Sequence, residues 1–275
     1  MKIFKELPFS LFRMTELRTK RFTENGLMTK LEVPIIVSMT SIPSRLKTLD
    51  LVIKSMFDQS VRPKHIVLWL HQDLRRSIPN RLNQLQNGLF SIRFSHLNCS
   101  HRKLVHTLPL YPNDILVTID DDCMYRSNFL ELFYEEHQRQ PKKIIGNYTV
   151  NLGYDDDGKI VPYGQWHSTA AINEKVRVPI GAWGVLYPPR SLAKETTDEK
   201  RYLSLTPKAD DLWFKAMALK NGTLSDRAKR SPKNPVPIIN TQKVALKRIN
   251  RDRDLNTEQW KAIDKAYNLK QLIFS

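Results

Sequence analysis

The chain is predicted to be an α/β protein, a mostly parallel sheet flanked by helices with a smaller mixed region on its later side. Two observations predict this. Four apolar or β-branched runs (Val33–Thr40, His65–Leu70, Phe90–Ser95 and Ile115–Ile119) alternate with helix-like segments, the pattern of a parallel sheet covered on both faces. The polar residues that stand out follow the carboxyl ends of those runs, where such sheets bind ligands. With 275 residues and 41% apolar content, there is enough chain for a substantial core.

Each element has a local cause. Val33–Thr40 is closed by Pro43. Leu46, Leu49, Ile53, Met56 and Phe57 recur at helical spacing, which predicts a helix over Ser44–Gln59. Pro79–Gln86 has Pro at its start and Gly88 just past its end. His101–Leu110 is expected to be helical, as is Phe129–Gln138, where Asn128 and Glu131 suit a capping box. After Ile144–Leu152 the alternation stops. Tyr154–Trp166 is predicted to be a hairpin turning at Asp156-Asp157-Gly158. Pro179–Pro189 is expected to be a loop, Ala209–Lys220 a helix ended by Asn221-Gly222, Val236–Asn240 a last strand and Thr257–Leu269 a basic helix.

Composition excludes some classes. No apolar run reaches the roughly 18 residues that a membrane span needs, and Met1–Met14 is interrupted by Lys2, Lys5 and Glu6, unlike a secretory signal. The two cysteines, Cys99 and Cys123, argue against a disulfide scaffold and suit a cytoplasmic location. The net charge of +16 points to anionic partners without choosing among nucleic acid, membrane and phosphate ligands. Residues 226–275 hold twelve Lys or Arg against five Asp or Glu, and residues 1–30 hold seven against three.

The strongest chemical feature is Asp120-Asp121-Asp122 at the end of the apolar Ile115–Ile119 run. Adjacent carboxylates repel, so a cation or a cap must offset them. Hard oxygen ligands suit Mg²⁺ or Mn²⁺; the alternative is an acidic turn before the next helix. Asp155-Asp156-Asp157 is followed by Gly158 and is better read as a turn. Asp210 and Asp211 open a helix, either as caps and dipole partners or as a general base. Gly181-Ala182-Trp183-Gly184 is either a tight turn with a core Trp or a close backbone approach beside a flat aromatic face. Trp166 and His167 are packing or site residues. Zinc spacings, a Walker-type loop and a serine elbow are all missing from the sequence.

Taken in order, Val37–Arg45, Lys103-Leu104, Ile115–Asp122, the GAWGVLYPP stretch at Gly181–Pro189 and the KADDLWF stretch at Lys208–Phe214 resemble bacterial GT-A glycosyltransferases of surface-polysaccharide biosynthesis, broadly similar to family 2 enzymes. The resemblance covers roughly residues 31–222. It implies a GT-A (Rossmann-like) catalytic domain over 31–222, with a nucleotide-binding half at 31–125 and an acceptor half at 126–222. A basic segment at 1–30 precedes it and a basic extension at 223–275 follows. The resemblance implies that Asp122, with Asp120, binds Mn²⁺ or Mg²⁺, and that Thr40, Arg45, Lys103, Asp120 and Asp121 border a nucleotide-sugar donor such as a UDP-sugar. It implies Asp211 as catalytic base with Asp210 beside it, and Gly181, Ala182, Trp183, Gly184 and Trp166 along the donor sugar or the acceptor. The acceptor implied is a saccharide or lipid-linked saccharide for capsule or lipopolysaccharide, glycosylated with inversion. Some GT-A enzymes add a later His to the metal; this chain has none after His167.

Arg248, Arg251 and Arg253, with the helix around Trp260, are expected either to hold the protein on an anionic inner membrane leaflet or to stay solvated. Two rival functions fit the sequence less well. A sugar-nucleotide pyrophosphorylase wants a glycine-rich loop after the first strand, and Ser38–Arg45 has no glycine. A nucleic-acid-binding protein would cluster its basic residues with aromatics on one surface, whereas here they gather toward the ends. No nucleic-acid partner is expected.

Overall fold

The computed structural model describes residues 2–167, 169–239, 241 and 254–275. Helices α1 (Lys2–Thr19) and α2 (Glu24–Met28) precede strand β1 (Glu32–Thr40). Then follow α3 (Leu49–Phe57), β2 (Arg62–His71), α4 (Asn80–Asn83), β3 (Phe90–Ser95), α5 (Arg102–Val105), β4 (Ile115–Thr118), β5 (Cys123–Met124) and α6 (Phe129–Arg139). The later part holds β6 (Ile144–Gly146), β7 (Thr149–Asn151), α7 (Tyr163–Trp166), β8 (Arg177–Pro179), β9 (Val185–Tyr187) and α8 (Glu199–Leu205). It closes with α9 (Asp210–Lys220), β10 (Ser225–Arg227), β11 (Val236–Pro237), α10 (Leu255–Tyr267) and α11 (Leu269–Phe274).

The main sheet has seven strands in the order β10-β6-β9-β4-β1-β2-β3. β1 runs parallel to β2 and β4, β2 to β3, and β6 to β10. Only β9 is antiparallel to its neighbours. This is the α/β, Rossmann-like architecture that the strand-helix alternation predicts. β1 is apolar along nearly its whole length because it is central and covered on both faces. Ile35, Val37 and Met39 enter one core with Ile53, Met56 and Phe57 of α3. Ile36 enters the other, with Trp213, Phe214 and Met217 of α9.

Several expectations change. Ser44–Gln59 splits into a 3-10 turn at Pro43–Thr48 and α3. The capping box at Asn128 does not form: Asn128 makes no side-chain cap bond, and Glu131 instead accepts from Ser60 at 2.8 Å. The Tyr154–Trp166 hairpin shrinks to one bridge, Tyr154 to Ile160, with Gly158 at φ +68° in its turn; the segment ends in α7. Residues 1–30, which show no clean period, hold α1. That helix buries Leu17 and Met14 and pairs Arg13 with Asp58 at 2.7 Å. The stretch expected as a loop at Pro179–Pro189 contains β9. Arg248, Arg251 and Arg253 lie outside the described residues. Trp260, expected on a helix either held at a membrane or solvated, is 1% exposed and packs edge-on to Trp166 at 6.4 Å between ring centres. Among the described residues, no helix is long and apolar enough to cross a membrane.

Lys215 of α9 is buried in the second core, and its Nζ has no hydrogen-bond partner among the described residues. Burial, with a smaller push from Arg177, lowers its pKa from the ordinary lysine range to about 7. The unfolded chain therefore binds one more proton than the fold above that value. Stability should rise with pH from about 7 toward the ordinary lysine pKa. Lys215→Met should raise stability near neutral pH by roughly 1–3 kcal/mol and flatten that slope. Urea unfolding at a series of pH values checks both.

Candidate active site: two acid clusters bridged by a buried lysine

The parallel strands end at one edge of the sheet, and the acid clusters meet there. β4 delivers Asp120, Asp121 and Asp122, and the first turn of α9 delivers Asp210 and Asp211. Lys103 of α5 lies between them. Its Nζ is 2.8 Å from Asp210 Oδ2 and 3.9 Å from Asp120 Oδ1. Burial disfavours the ammonium, but Asp210, Asp120 and Asp211 together raise its pKa above the ordinary value. Lys103 is 6% exposed, so it is a fixed internal cation and not an open phosphate contact.

Asp210 and Asp211 do not cap their own helix. The N-cap is Ala209, without a side-chain bond. Asp210 is buried, accepts from Ser100 Oγ at 2.7 Å and pairs with Lys103. Burial works against its charge, yet Lys103 and His101 hold its pKa below the usual carboxylate range. Asp211 is partly exposed, and both its oxygens accept from the Gly181 backbone N–H at 3.2 Å. Burial and the adjacent Asp210 charge push its pKa up to about 7. The two neighbours are thus driven apart: Asp210 stays ionised, and Asp211 can take up and release a proton near neutrality.

The strand-end triplet also divides. Asp121 is buried, accepts from Ser41 Oγ at 2.5 Å and pairs with Arg45. It braces the loop after β1 and does not line the opening, as a donor contact would. Asp120 and Asp122 are partly exposed. Arg45 Nη2 lies 3.1 Å from Asp122 Oδ2. Burial raises the pKa of Asp120 to about 6; Lys103 opposes the rise, and Asp122 and Asp121 add to it. Among the described residues, no group of three or more His, Cys, Asp or Glu converges as a metal shell. The partly exposed carboxylates at the strand end are Asp120 and Asp122. That fits a hard cation which takes its other ligands from water and substrate phosphate.

The remaining sequence candidates are dispersed. Thr40 Oγ1 donates to Trp69 O at 2.9 Å and accepts from Arg102, so it stiffens the β1 end. Trp166, expected along the substrate, is fully buried and donates to Val161 O at 2.9 Å; it belongs to the second core. Gly181, Ala182 and Trp183 form a 3-10 turn at the sheet edge. A Cβ on Gly181 would lie 3.2 Å from Lys103 Nζ and 3.3 Å from Asp211 Oδ1, so the backbone sits directly on the acid cluster. Gly184 has φ +92°, and a Cβ there would lie 2.7 Å from the Phe129 ring, which only glycine avoids.

Sequence reasoning missed Ser41, Ser100 and Arg102. Arg102 donates to Thr40 Oγ1 and to the carbonyls of Leu97 and Ser41. The Ser100–Lys103 run of four polar residues was the available signal, but polar runs are ordinarily solvated, and this one is tucked behind the β1 end.

Fold and side chains together define a Rossmann-like α/β protein with a cluster of acids around a buried lysine at the carboxyl edge of its sheet. No known protein family matches the chain, and no curated protein matches it. Among solved structures, one that matches is described as 4-diphosphocytidyl-2C-methyl-D-erythritolsynthase from Anaerococcus prevotii. The two are 14% identical over 87% of this chain and 99% of that chain, with a TM-score of 0.40. A likeness this loose carries no argument about activity.

Lys103→Met should leave Asp210 buried without its cation and cost about 3–5 kcal/mol. Adding Asp210→Leu should recover part of that loss. Denaturant midpoints of the single and double variants measure the coupling.

Proposed function

We propose that the protein is a metal-dependent GT-A glycosyltransferase, moving a sugar from a nucleotide-sugar donor, such as a UDP-sugar, to a saccharide acceptor with inversion. The observation that carries the proposal is the pairing of a strand-end Asp120/Asp122 set with a second, separately tuned carboxylate, Asp211, whose neighbour Asp210 is joined to Asp120 through Lys103. One set suits the donor's phosphates through a cation, and the other suits an acceptor's hydroxyl. The division of the catalytic domain at 31–222 into a donor half and an acceptor half belongs to the same reading.

Asp120 and Asp122 would hold Mn²⁺ or Mg²⁺, which when bound neutralises charge on the donor diphosphate as it leaves. The protein's own residues do the rest. Arg45 keeps Asp121 and Asp122 in place. The Gly181 N–H fixes the Asp211 carboxylate, which takes the proton from the acceptor hydroxyl. The acceptor oxygen bonds to the anomeric carbon as the bond from that carbon to the diphosphate oxygen breaks. The nucleoside diphosphate leaves with the electron pair.

Incubation with a panel of nucleotide sugars, with and without Mn²⁺, tests the reaction class through released nucleotide. One donor should be cleaved, in a metal-dependent manner, and Asp122→Ala should abolish it. Failure of every nucleotide to bind in the presence of Mn²⁺ would overturn the reading. Release of pyrophosphate from a nucleoside triphosphate and a sugar phosphate would replace it with a pyrophosphorylase.

Asp211→Asn should slow transfer by about 10²–10⁴ while leaving donor affinity within threefold. The base works only when ionised, so kcat/KM should fall as pH drops through about 7 and lose that limb in the variant. A product with retained anomeric configuration, seen by NMR, would exclude the single displacement.

A further inference from the structure

Beside the acid clusters, at the same edge of the sheet, a cleft opens over β6, β9 and β10. Trp183, Asn147, Arg126, Arg227 and Lys233 line it. Each arrives by a different route. Asn147 follows the end of β6, Arg227 ends β10, Arg126 follows β5, and Lys233 comes from the loop before β11.

Three cations converge here. Arg126 Nε donates to Asn234 O at 3.2 Å, and its guanidinium lies over the Phe9 ring at 4.5 Å. None of the three has a carboxylate partner among the described residues, whereas neighbouring Arg230 pairs with Glu135 at 2.9 Å. Three cations without a carboxylate partner on one concave surface, two of them exposed, favour an anion there.

The other side of the cleft is suited to a sugar. Asn147 is 4% exposed and donates through Nδ2 to Trp183 O at 3.0 Å. Its Oδ1 is buried without a partner among the described residues. An unpaired buried acceptor has a cost that a hydroxyl donor would remove. Trp183 is partly exposed, whereas the other four tryptophans are 7% exposed or less. Its indole offers a flat apolar face to a pyranose ring. Trp183 closes the 3-10 turn whose first residue, Gly181, holds Asp211. Two residues of such a turn rise about 4 Å, which sets the cleft one sugar's reach from the proposed base.

We propose that this cleft is the acceptor subsite and that the acceptor is a saccharide carrying a phosphate group, bound by Arg126, Arg227 and Lys233, with its ring against Trp183 and a hydroxyl on Asn147. The inference rests on the glycosyltransferase reading and names its acceptor class. The phosphate comes from a soluble sugar phosphate or from the linkage to a lipid. Phe12 on α1 is 66% exposed and lies in a shallow groove that shares Arg126 and Lys233 with this cleft.

Tryptophan fluorescence, with Trp183→Phe as the blank, reads the test. Hexose 1-phosphates should bind at least tenfold more tightly than the methyl glycosides of the same hexoses. Arg227→Ala with Lys233→Ala should shrink that preference below threefold, and Arg227→Lys with Lys233→Arg should restore it; melting curves establish that both variants are folded. Equal affinity for phosphorylated and neutral sugars, or a preference that survives the alanine pair, overturns the proposal. Anchoring the sugar phosphate to a lipid in phosphatidylcholine vesicles separates the sources. Tighter binding that Phe12→Ala removes supports a lipid-linked acceptor, and unchanged binding supports a soluble one. Donor cleavage by the unaltered protein is scored separately. Phosphate preference without any nucleotide-sugar cleavage would sink the glycosyltransferase reading while leaving a sugar-phosphate site.

Discussion

A buried ammonium, Lys103 Nζ, stands between the two acid clusters, and the geometry of the site depends on it. Removing a lysine from water costs several kcal/mol, which only close carboxylates can offset. Asp210 at 2.8 Å is the main offset, and Asp120 at 3.9 Å adds to it. The backbone of Lys103 is held as firmly as its side chain. Its carbonyl accepts from Ser38 Oγ of β1 and from Thr107 Oγ1 at 2.9 Å, and Thr107 in turn accepts from Trp69 Nε1 at 2.9 Å. The lysine thus ties β1, β2, β4 and α9 together, fixing the strand-end carboxylates relative to the helix that carries Asp211.

Around that cation the five carboxylates divide into supports and working groups. Asp121 and Asp210 are buried and paired, the one with Arg45 and the other with Lys103. Asp120, Asp122 and Asp211 remain partly exposed. The same polarity of arrangement sets their proton affinities. Asp210 stays ionised because Lys103 is close; burial first, and then the fixed Asp210 charge, lift Asp211. The buried lysine thus keeps Asp210 an anion, while burial and that anion, against the pull of Lys103, let Asp211 titrate near neutrality.

β9 brings the rest of the site to the same edge. It is the antiparallel strand of an otherwise parallel sheet, set between β4 and β6. Running opposite to them, it begins where they end. The Gly181–Trp183 turn that precedes it therefore lands between Asp211 and the basic cleft. Gly184 makes the junction possible, since its positive φ and the Phe129 ring leave no room for a side chain.

The parallel half of the fold was legible because β1 to β4 are short apolar or β-branched runs separated by segments of helical spacing, signals that depend only on neighbours in the chain. β9 was not: three residues between glycine and two prolines look like a loop, and only the gap between β4 and β6 makes them a strand. Nor was α1, whose packing against the core orders a stretch without a clean period. The acids were visible as clusters, but like residues in a row carry no information about which is buried. The sequence by itself determined the layer order, the acid-bearing strand end and the Asp210–Asp211 helix start. Tertiary structure decided that Lys103 is an internal cation, that Trp166 and Trp260 are core, and that Asp121 is spent on Arg45. Period and composition are local, whereas desolvation and ion pairing depend on which distant segments are brought within a few ångströms.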